Sequence, residues 1–437
     1  MKRLYIETYG CQMNVADTEL LLGLFVREGY ARVAGPEGAD VVLVNTCAVR
    51  DNAEQRVIGR LGELQRHKRA GTVLGVVGCM AQRLGPTLLE RVPAVDLVAG
   101  PDAYRDLVTL VAQAAAGDRP TDTGFRSWEH YEDVPAVREP GATAFVTVQR
   151  GCDYKCTFCI VPYTRGPERS RKLEDVVSEV QRLAGRGTSE VTLLGQTVNS
   201  YHDGAHDFAA LLRAVGTVDG IRRLRFTSPY PTEFTAPVVE QMALVPAVCE
   251  HVHLPAQSGS NAVLRRMLRR YTRDEYLEVV ARLRAAIPGL TCSTDLIVGF
   301  PGETEAQFGE TLSLVEGAAF DDAYTFRYSP RDGTPALRLG GAVEETVAAD
   351  RLGRLIEAVR RQARRRNLGR VGSTVEVLVE RPARRGGLLL ARSRTNLLVL
   401  VDLPATAIGE YHHVLLTGTT GSTFTGQVVR PSLPVVA

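Results

Sequence analysis

The stretch Arg150-Gly151-Cys152-Asp153-Tyr154-Lys155-Cys156-Thr157-Phe158-Cys159-Ile160 holds three thiols at positions i, i+4 and i+7. One short loop with this spacing can curl around an iron–sulfur cube, so that each thiolate binds a different iron. The fourth iron then has no protein ligand, and it can chelate the amino and carboxylate groups of S-adenosylmethionine (SAM). The stretch therefore predicts a cluster-binding loop with Cys152, Cys156 and Cys159, the loop triad, as its ligands.

Two other uses of these cysteines fit the sequence less well. A structural zinc site normally takes four protein ligands, and no fourth cysteine or histidine lies within a few residues of the loop. A redox dithiol would use only Cys156 and Cys159 and would leave Cys152 without a role. Just upstream, residues 144–149 are rich in β-branched and aromatic residues, which predicts a buried strand. A metal-binding loop at the C-terminal end of a first strand is typical of barrel folds.

Length and composition indicate a globular protein of two or three domains. The 437 residues exceed one ordinary core, and 44% hydrophobic and 23% charged residues are common values. No apolar run approaches the roughly 20 residues of a membrane helix. The first strand begins at Leu4, which leaves no room for a signal peptide. We therefore expect a cytoplasmic protein without membrane contact, whose eight cysteines stay reduced and serve metals rather than disulfides.

The charge of the chain is nearly balanced. With a net charge of only +2, nucleic-acid binding has to be argued from local clusters of basic residues. Three such clusters occur, at 165–172, 265–273 and 351–370.

The first hundred residues alternate strands with helices, two of which are predicted at about 17–28 and 51–69. The predicted strands lie at 4–9, 41–44, 73–77 and, more weakly, 95–98. A cysteine follows each of the first three strands: Cys11, Cys47 and Cys79, the strand-end triad. Because the C-terminal ends of parallel strands share one edge, we expect these thiols to converge into a second three-cysteine site. A lone cysteine is more often a buried structural thiol, but three in equivalent positions favour ligands.

Residues 111–141 lose this regularity and carry several glycines and prolines, which predicts a linker or a crossing segment. The alternation then returns at longer spacing and predicts a partial (β/α)6 barrel, open on one side for a large substrate. Its strands are predicted at 144–149, 190–194, 223–227, 250–254, 292–298 and 323–328. Polar or glycine-containing turns follow these strands at the same end as Cys159. The residues that we expect to contact SAM are Phe158, Gln196, Ser228, Gln257 and Gly299.

A predicted helix from Asp350 to Leu368 leads into the last domain. Its arginines are Arg351, Arg354, Arg360, Arg361, Arg364, Arg365 and Arg366. A solvated charged face is the usual interpretation, and contact with phosphates is the alternative. Residues 371–434 are short alternating strands that predict a small closed β-barrel. Such barrels often bind RNA, and the scarcity of aromatic residues here favours backbone and shape contacts over base stacking.

Together these stretches resemble the methylthiotransferases of the radical SAM superfamily almost from end to end. The motifs in the first domain are Gly10-Cys11-Gln12-Met13-Asn14, Asn45-Thr46-Cys47-Ala48-Val49-Arg50 and Gly78-Cys79-Met80-Ala81-Gln82-Arg83. Those in the barrel include the Cys-x3-Cys-x2-Cys loop, Pro162-Tyr163-Thr164-Arg165-Gly166, Glu168-Arg169-Ser170-Arg171 and Gly299-Phe300-Pro301-Gly302-Glu303. The last domain resembles TRAM, the RNA-binding barrel of this family.

The resemblance implies an α/β protein with three domains. These are an N-terminal open parallel-sheet domain at 1–115, a radical SAM barrel at 142–367 and a TRAM barrel at 368–435. It also implies two [4Fe-4S] clusters. The cluster on the loop triad would cleave SAM to a 5′-deoxyadenosyl radical, and the cluster on the strand-end triad would carry the sulfur to be inserted. One SAM would methylate that sulfur, and a second would supply the radical.

The implied substrate is N6-dimethylallyl (isopentenyl) adenosine at position 37, in the anticodon stem-loop of tRNA. Carbon 2 of adenine offers neither an acidic proton nor a leaving group, so a radical can activate it where acid–base side chains cannot. The implied electron donor is a flavodoxin or a ferredoxin-like protein. Alternatives within the family are methylthiolation of threonylcarbamoyl-adenosine in tRNA or of a ribosomal-protein aspartate. Residues 48–50 and 162–165 favour the dimethylallyl branch by resemblance. Another class of function is a non-catalytic iron–sulfur protein that binds RNA or senses redox state.

Three residues depart from the family pattern. Pro167 stands where relatives usually carry a charged residue, and Thr197 and Ser200 interrupt a Gln-Asn-Val-Asn-Ala-Tyr pattern. We expect them to lie near the substrate face without touching a cluster ligand, and so to influence fine substrate preference. The sequence leaves the oligomeric state open.

Overall fold

The computed structural model describes residues 1–48, 51–384 and 386–429, with only the backbone described for 51–53. Val49 and Arg50 of the second cysteine motif lie outside the described residues, as do the predicted domain and barrel ends beyond 429. Within the described ranges, no helix combines the length and the apolar character that crossing a bilayer requires.

The N-terminal part is a six-stranded parallel sheet in the order β2-β1-β3-β4-β5-β6. The central strands β3 and β4 are buried along their whole length, because helices cover both faces of the sheet. The elements are β1 Arg3–Tyr9, α1 Gln12–Arg27, β2 Ala31–Arg32, β3 Val41–Thr46, α2 Asp51–Leu64, β4 Val73–Gly78, α3 Cys79–Leu84, α4 Thr87–Arg91, β5 Leu97–Ala99, α5 Leu107–Ala115 and β6 Thr121–Asp122.

Of the linker and the crossing segment predicted at 111–141, the structure agrees with the crossing segment, which packs against the sheet and contains little regular structure. Helix α5 continues to Ala115, and the two residues of β6 add the edge strand of the sheet. Tyr131 and Val134 are buried in the core on one face of the sheet, and the Tyr131 hydroxyl donates to the carbonyl of Pro101 at 2.9 Å. These contacts come from isolated side chains in an irregular segment, so no periodic pattern in the sequence reported them.

The central part is a curved sheet of parallel strands around one large hydrophobic core, as predicted. Two three-stranded sheets, β7-β10-β11 and β12-β13-β14, are joined by a bridge between Leu224 and Val248. Its elements are β7 Thr143–Thr147, β8 Gln149–Arg150, α6 Val161–Arg165, β9 Arg169–Ser170, α7 Leu173–Ala184, β10 Glu190–Leu194, α8 Phe208–Gly216, β11 Arg223–Phe226, α9 Ala236–Leu244, β12 His251–His253, α10 Asn261–Arg266, α11 Arg273–Ala286, β13 Thr291–Val298, α12 Glu305–Ala318, β14 Asp322–Arg327 and α13 Glu345–Leu368. The predicted partial barrel is confirmed.

The C-terminal part is a closed five-stranded barrel in the order β15-β16-β17-β19-β18, which confirms the predicted small β-barrel. Its strands are β15 Thr374–Pro382, β16 Leu389–Ser393, β17 Leu398–Val401, β18 Tyr411–Thr419 and β19 Thr423–Val428. This barrel docks where the central strands begin, opposite the cysteine loop. Arg225 there donates to the carbonyl of Ser393 at 2.8 Å, and Thr291 donates to the carbonyl of Thr395 at 2.7 Å.

Candidate functional site

The strand-end triad lies on one edge of the N-terminal sheet. Cys11 caps helix α1, Cys47 follows β3, and Cys79 opens α3 directly after β4. Helix α1 begins at Gln12, more than a turn before the predicted start near residue 17, because Cys11 and Asn14 form a capping box. The thiols of Cys11 and Cys47 are in hydrogen-bond contact, and the charge on Cys11 also acts on Cys79.

A buried amide network holds these turns together. Asn14 donates to the side-chain oxygen of Asn45 at 3.1 Å and to the carbonyl of Thr46 at 3.0 Å, and Asn45 donates back to the carbonyl of Asn14 at 2.8 Å. Neither amide is exposed to solvent. Gly10 is required at this point, because a Cβ atom there would lie 2.9 Å from the Cβ of Cys47. The network fixes the spacing of the loops that carry Cys11 and Cys47.

The ionisation of the strand-end thiols differs from one cysteine to the next. The hydrogen bond with Cys47, together with the nearby Arg165 guanidinium, lowers the pKa of Cys11 to about 6. Burial raises the pKa of Cys79, although Arg165 opposes that effect. Because the thiolate is the metal-binding form of cysteine, Cys11 is poised to act as a ligand near neutral pH.

The loop triad lies at the C-terminal end of the central strands. Gly151 has φ +77°, and its approach to the carbonyl of Pro167 leaves no space for a side chain. The Cys152 amide donates to the carbonyl of Gly166 at 3.1 Å, and the Cys159 amide donates to the carbonyl of Cys156 at 3.0 Å. Burial raises the pKa of Cys152, and it raises that of Cys159 to about 12. Bound metal would have to displace these protons.

The expectation that Thr197 avoids the predicted cluster ligands is wrong. Its hydroxyl lies 3.3 Å from the sulfur of Cys152, and its amide donates to the side chain of Gln149 at 3.0 Å. The side chain of Ser200 bonds to neighbours of the cysteine loop: it accepts a hydrogen bond from Gln149 at 3.0 Å and donates to Glu168 at 2.8 Å. The fold brings the turn after β10 against the cysteine loop, and sequence spacing alone does not reveal this contact.

The two triads adjoin across the boundary between the sheet and the barrel. Ile160, which directly follows Cys159, packs against Cys79 and Ala48 in a small buried cluster. Helix α6 of the barrel lies against helix α3 of the sheet. The six cysteines therefore belong to one region of the molecule, although they come from two halves of the chain.

Two arginines contact the thiols, the buried Arg165 and the half-buried Arg269, and the sequence did not reveal this role. Arg165 donates through Nε to the sulfur of Cys79 at 3.1 Å, and Arg269 donates through Nη1 to the sulfur of Cys156 at 3.4 Å. Both arginines came from predicted basic clusters. The cluster at 165–172 is not an exposed basic surface, since Arg165, Arg169 and Arg171 are all buried. Their positions close to the cysteine motifs were the only signal that could have marked them.

The residues predicted to contact SAM have different surroundings. Gln196 and Gln257 each hold a buried side-chain oxygen that has no partner within the described part of the chain. Ser228 and Gln257 have positive φ angles of 59° and 68°, a strained backbone that often marks functional turns. The unpaired oxygens could accept hydrogen bonds from the ammonium, amino or hydroxyl groups of SAM.

Gly299 and Phe158 have packing roles in the structure. A Cβ atom on Gly299 would lie 2.8 Å from that of Ala348, so the glycine admits helix α13. The ring of Phe158 meets that of Phe300 edge to face, with centroids 6.4 Å apart.

The thiols suit a cluster better than a single ion. No group of three histidine, cysteine or acidic side chains in the described ranges is arranged to hold one metal ion. A [4Fe-4S] cluster needs a different arrangement, because each thiolate binds a separate iron. Three cysteines per site, with an arginine in contact with one of them, match the donor chemistry of such a cluster.

The partial barrel and its Cys-x3-Cys-x2-Cys loop define a radical SAM protein. The model of the Radical SAM superfamily matches residues 146–315, and that of Uncharacterized protein family UPF0004 matches residues 3–100. Proteins named tRNA-2-methylthio-N(6)-dimethylallyladenosine synthase are similar over nearly the whole chain. Those of Koribacter versatilis, Geotalea uraniireducens and Geobacter sulfurreducens are 42%, 43% and 44% identical, with 98% of this chain and 98%, 99% and 98% of theirs covered. The chain therefore belongs to the tRNA-2-methylthio-N(6)-dimethylallyladenosine synthase family.

Solved structures share the fold at much lower identity. The radical S-adenosylmethionine methyltransferase TsrM from Kitasatospora setae, with cobalamin and a [4Fe-4S] cluster bound, has a TM-score of 0.57 at 15% identity, with 77% of each chain covered. The cobalamin-dependent radical enzyme OxsB, with aqua-cobalamin and S-adenosylmethionine bound, has a TM-score of 0.53 at 12% identity, with 83% of this chain and 56% of that chain covered. At these identities the likeness concerns the fold alone.

Proposed function

We propose that this protein transfers a methylthio group to carbon 2 of N6-dimethylallyl-adenosine at position 37 of tRNA. The observation that carries the proposal is the meeting of two cysteine triads at the sheet–barrel boundary, in a chain whose full-length relatives bear the name of this synthase. The proposed electron donor is a flavodoxin or ferredoxin-like protein. Because the substrate is tRNA, we expect the protein to act in the cytoplasm.

The cysteines divide into two proposed ligand sets. The loop triad would hold the cluster whose electron cleaves SAM to a 5′-deoxyadenosyl radical, and the strand-end triad would hold a second cluster that carries the sulfur. The unpaired oxygens of Gln196 and Gln257 would accept hydrogen bonds from SAM. The buried contact of Ile160 with Cys79 excludes water from the place where the two triads adjoin. A radical formed near this contact would be protected from solvent.

Part of helix α13 is proposed as an RNA-binding surface. Arg351 pairs with Glu303 at 3.0 Å, and Arg366 pairs with Asp321 at 2.7 Å, so these arginines serve the fold. The exposed arginines without a partner among the described residues, the arginine face, are Arg360, Arg361, Arg364 and Arg365. They share one groove with a single acidic residue, Glu357. Four guanidinium groups with so little compensation suit the phosphates of a tRNA stem.

Mass spectrometry of nucleosides tests the reaction and its substrate. Anaerobically reconstituted protein would be incubated with reductant, SAM and tRNA carrying either N6-dimethylallyl- or threonylcarbamoyl-adenosine. We expect thiomethylated product only from the dimethylallyl substrate. Product only from the tRNA with threonylcarbamoyl-adenosine would show that this nucleoside, and not the dimethylallyl one, is the substrate. A protein that binds one cluster, or that makes no 5′-deoxyadenosine, would instead fit a redox sensor.

The variant Cys47→Ala separates the two triads. Because Cys47 belongs to the strand-end triad only, the variant should still produce 5′-deoxyadenosine from SAM and should form no thiomethylated nucleoside. Cys156→Ala is the matched control, and it should lose both products. Thiomethylated product from Cys47→Ala would contradict the assignment of the strand-end triad.

A further inference from the structure

We infer that Arg165 and Arg269 are positioning residues that raise the reduction potentials of the clusters proposed for the two triads. Arg165 would act on the cluster of the strand-end triad through Cys79, and Arg269 on the cluster of the loop triad through Cys156. The inference rests on the proposed function, because it assumes that both triads hold clusters. It adds a physical role for two residues that lie outside the ligand sets.

Arg165 is held against Cys79 from a distant part of the chain. Its side chain is only 4% exposed, and its Nη2 donates to the carboxylate of Asp17 at 2.6 Å while its Nε donates to Cys79. Arg150 approaches the other oxygen of Asp17 at 3.1 Å, and the Tyr104 hydroxyl donates to the same carboxylate at 3.3 Å. Asp17 is fully buried between these groups. The carboxylate therefore fixes the direction in which the guanidinium faces the thiol.

A purely structural ion pair does not account for all of this geometry. An ion pair with Asp17 alone accounts for the Nη2 hydrogen bond of Arg165 but not for the hydrogen bond from its Nε to the sulfur of Cys79. The Nη1 of Arg165 is also buried, and it has no partner in the part of the chain that the structure describes. A buried donor without a partner costs about 1–3 kcal/mol, so a second acceptor beside Cys79 would stabilise this site. The sulfides of a bound cluster are acceptors of that kind.

Arg269 occupies the equivalent position at the loop triad, but different groups hold its side chain. Its Nε donates to the Tyr271 hydroxyl at 2.8 Å, and its Nη2 donates to the carbonyl of Pro255 at 3.2 Å. The guanidinium carbon lies 4.3 Å from the centre of the Tyr230 ring. No carboxylate among the described residues pairs with it. Arg269 thus presents an uncompensated charge to Cys156.

The effect on potential follows from charge and hydrogen bonding. Reduction adds one negative charge to a cluster, and hydrogen bonds to the sulfurs and nearby positive charge favour the reduced form. Arginine keeps its charge at all working pH values, and burial reduces the screening by water. Each arginine should therefore raise the potential of the cluster that it touches and leave the other cluster nearly unchanged.

Redox titration of full-length variants with a single triad tests the inference. In the first background, Cys152, Cys156 and Cys159 are replaced by alanine, so that only the strand-end triad can bind iron. In the second, Cys11, Cys47 and Cys79 are replaced. After anaerobic reconstitution, iron content is measured and the midpoint potential is followed by electron paramagnetic resonance. A background that binds no iron would refute the cluster assignment itself, a failure distinct from that of the arginine inference.

The expected shifts differ in sign and in location. In the first background, Arg165→Gln should move the midpoint to a more negative value, and Arg165→Lys should move it less. Asp17→Asn, which removes a buried negative charge, should move it to a more positive value. Arg269→Gln should act only in the second background, also in the negative direction.

General damage to the fold would not give opposite signs for Arg165→Gln and Asp17→Asn. Should Arg165→Gln fail to bind iron, Arg165→Lys and Asp17→Asn still decide the question. Unchanged midpoints with full iron content would overturn the inference. The inference would also fail if replacing either arginine shifted the midpoint potentials of both clusters.

Discussion

At the scale of single residues, Glu168 links one of the departures from the family pattern to the cysteine loop. Its carboxylate receives the hydroxyl of Ser200 at 2.8 Å, and its amide donates to the carboxylate of Asp153, next to Cys152, at 3.0 Å. Burial raises the pKa of Glu168 from 4.5 to about 7, with smaller contributions from Asp153 and Glu233. The folded protein therefore keeps a proton on this carboxyl at pH values where the unfolded chain has lost it.

This raised pKa predicts a pH dependence of stability. The stabilising contribution of Glu168 is complete below about pH 4.5 and is lost as the pH rises through about 7. Relative to the parent, Glu168→Gln should therefore gain melting temperature as the pH increases from 4.5 to 8. Thermal unfolding of the cluster-free protein across that range measures this difference in melting temperature. Glu240→Gln, at an exposed position, is the control. Parallel pH profiles for parent and Glu168→Gln would contradict the raised pKa.

At the scale of elements, helix α13 shows how one charged segment divides between arginines that pair within the fold and arginines that stay exposed. Its buried side faces the barrel, where Leu355 and Val359 join the central core. Its last turn contacts the C-terminal barrel, where Asn367 donates to the carbonyl of Gly421 at 2.7 Å. The arginine face lies on the opposite, exposed side. The helix thus fixes both barrels and presents positive charge beside the second.

The arginine face predicts a defined change in the salt dependence of tRNA binding. Each phosphate contact contributes about 0.7–0.9 to the slope of log affinity against log salt concentration. Replacing all four arginines by glutamine should weaken binding and flatten that slope by about 3. Fluorescence anisotropy with labelled anticodon stem-loop at several salt concentrations measures both.

Control variants keep this test specific. Arg182→Gln with Arg186→Gln removes two exposed arginines without partners among the described residues, on helix α7 and the turn after it. This pair should leave the slope unchanged, whereas Arg360→Gln with Arg364→Gln should flatten it by about 1.5. An equal effect of both pairs would mean that net charge, rather than this surface, controls binding.

At the scale of the whole molecule, the C-terminal barrel closes the base of the central barrel. Arg223 is fully buried there, and it donates to the carbonyls of Arg392 at 2.8 Å and Glu376 at 3.0 Å. Arg394 from the C-terminal barrel reaches back to Glu250 at 2.8 Å. These contacts fix the proposed RNA-binding domain relative to the cysteine triads.

Removing Arg223 should loosen this contact. Arg223→Met removes the donor to the carbonyls of Arg392 and Glu376 and leaves the buried carboxylate of Glu190 paired with Arg225 at 3.1 Å, which should cost about 3–5 kcal/mol in unfolding free energy. Denaturant unfolding measures the loss, and limited proteolysis between 369 and 373 reports the loosening. Arg222→Met is the matched control, since Arg222 pairs with the same Glu376 but its side chain is 52% exposed. It should cost about 1 kcal/mol or less.

Much of the architecture was predictable from the sequence, because strands and their order follow from local patterns. The strand Glu190–Leu194 was predicted to the residue, and the other long strands of the barrels agree within a few residues. The family resemblance is confirmed by relatives that match over nearly the whole chain. The positions of the six cysteines after strands or in one loop were also visible, since regular alternation defines which chain segments share an edge.

The tertiary structure alone decided which charged and polar groups serve those cysteines. Asp17 and Arg165 are 148 residues apart, and Thr197 lies 45 residues from the Cys152 that it contacts. A sequence pattern reports which face of an element is apolar, but it carries no information about which distant partner neutralises a buried charge. For the same reason, the arginines at 165–172 and on α13 were alike in sequence and differ in the fold. Burial against a specific carboxylate or thiol, rather than local composition, separates structural arginines from those left to bind a ligand.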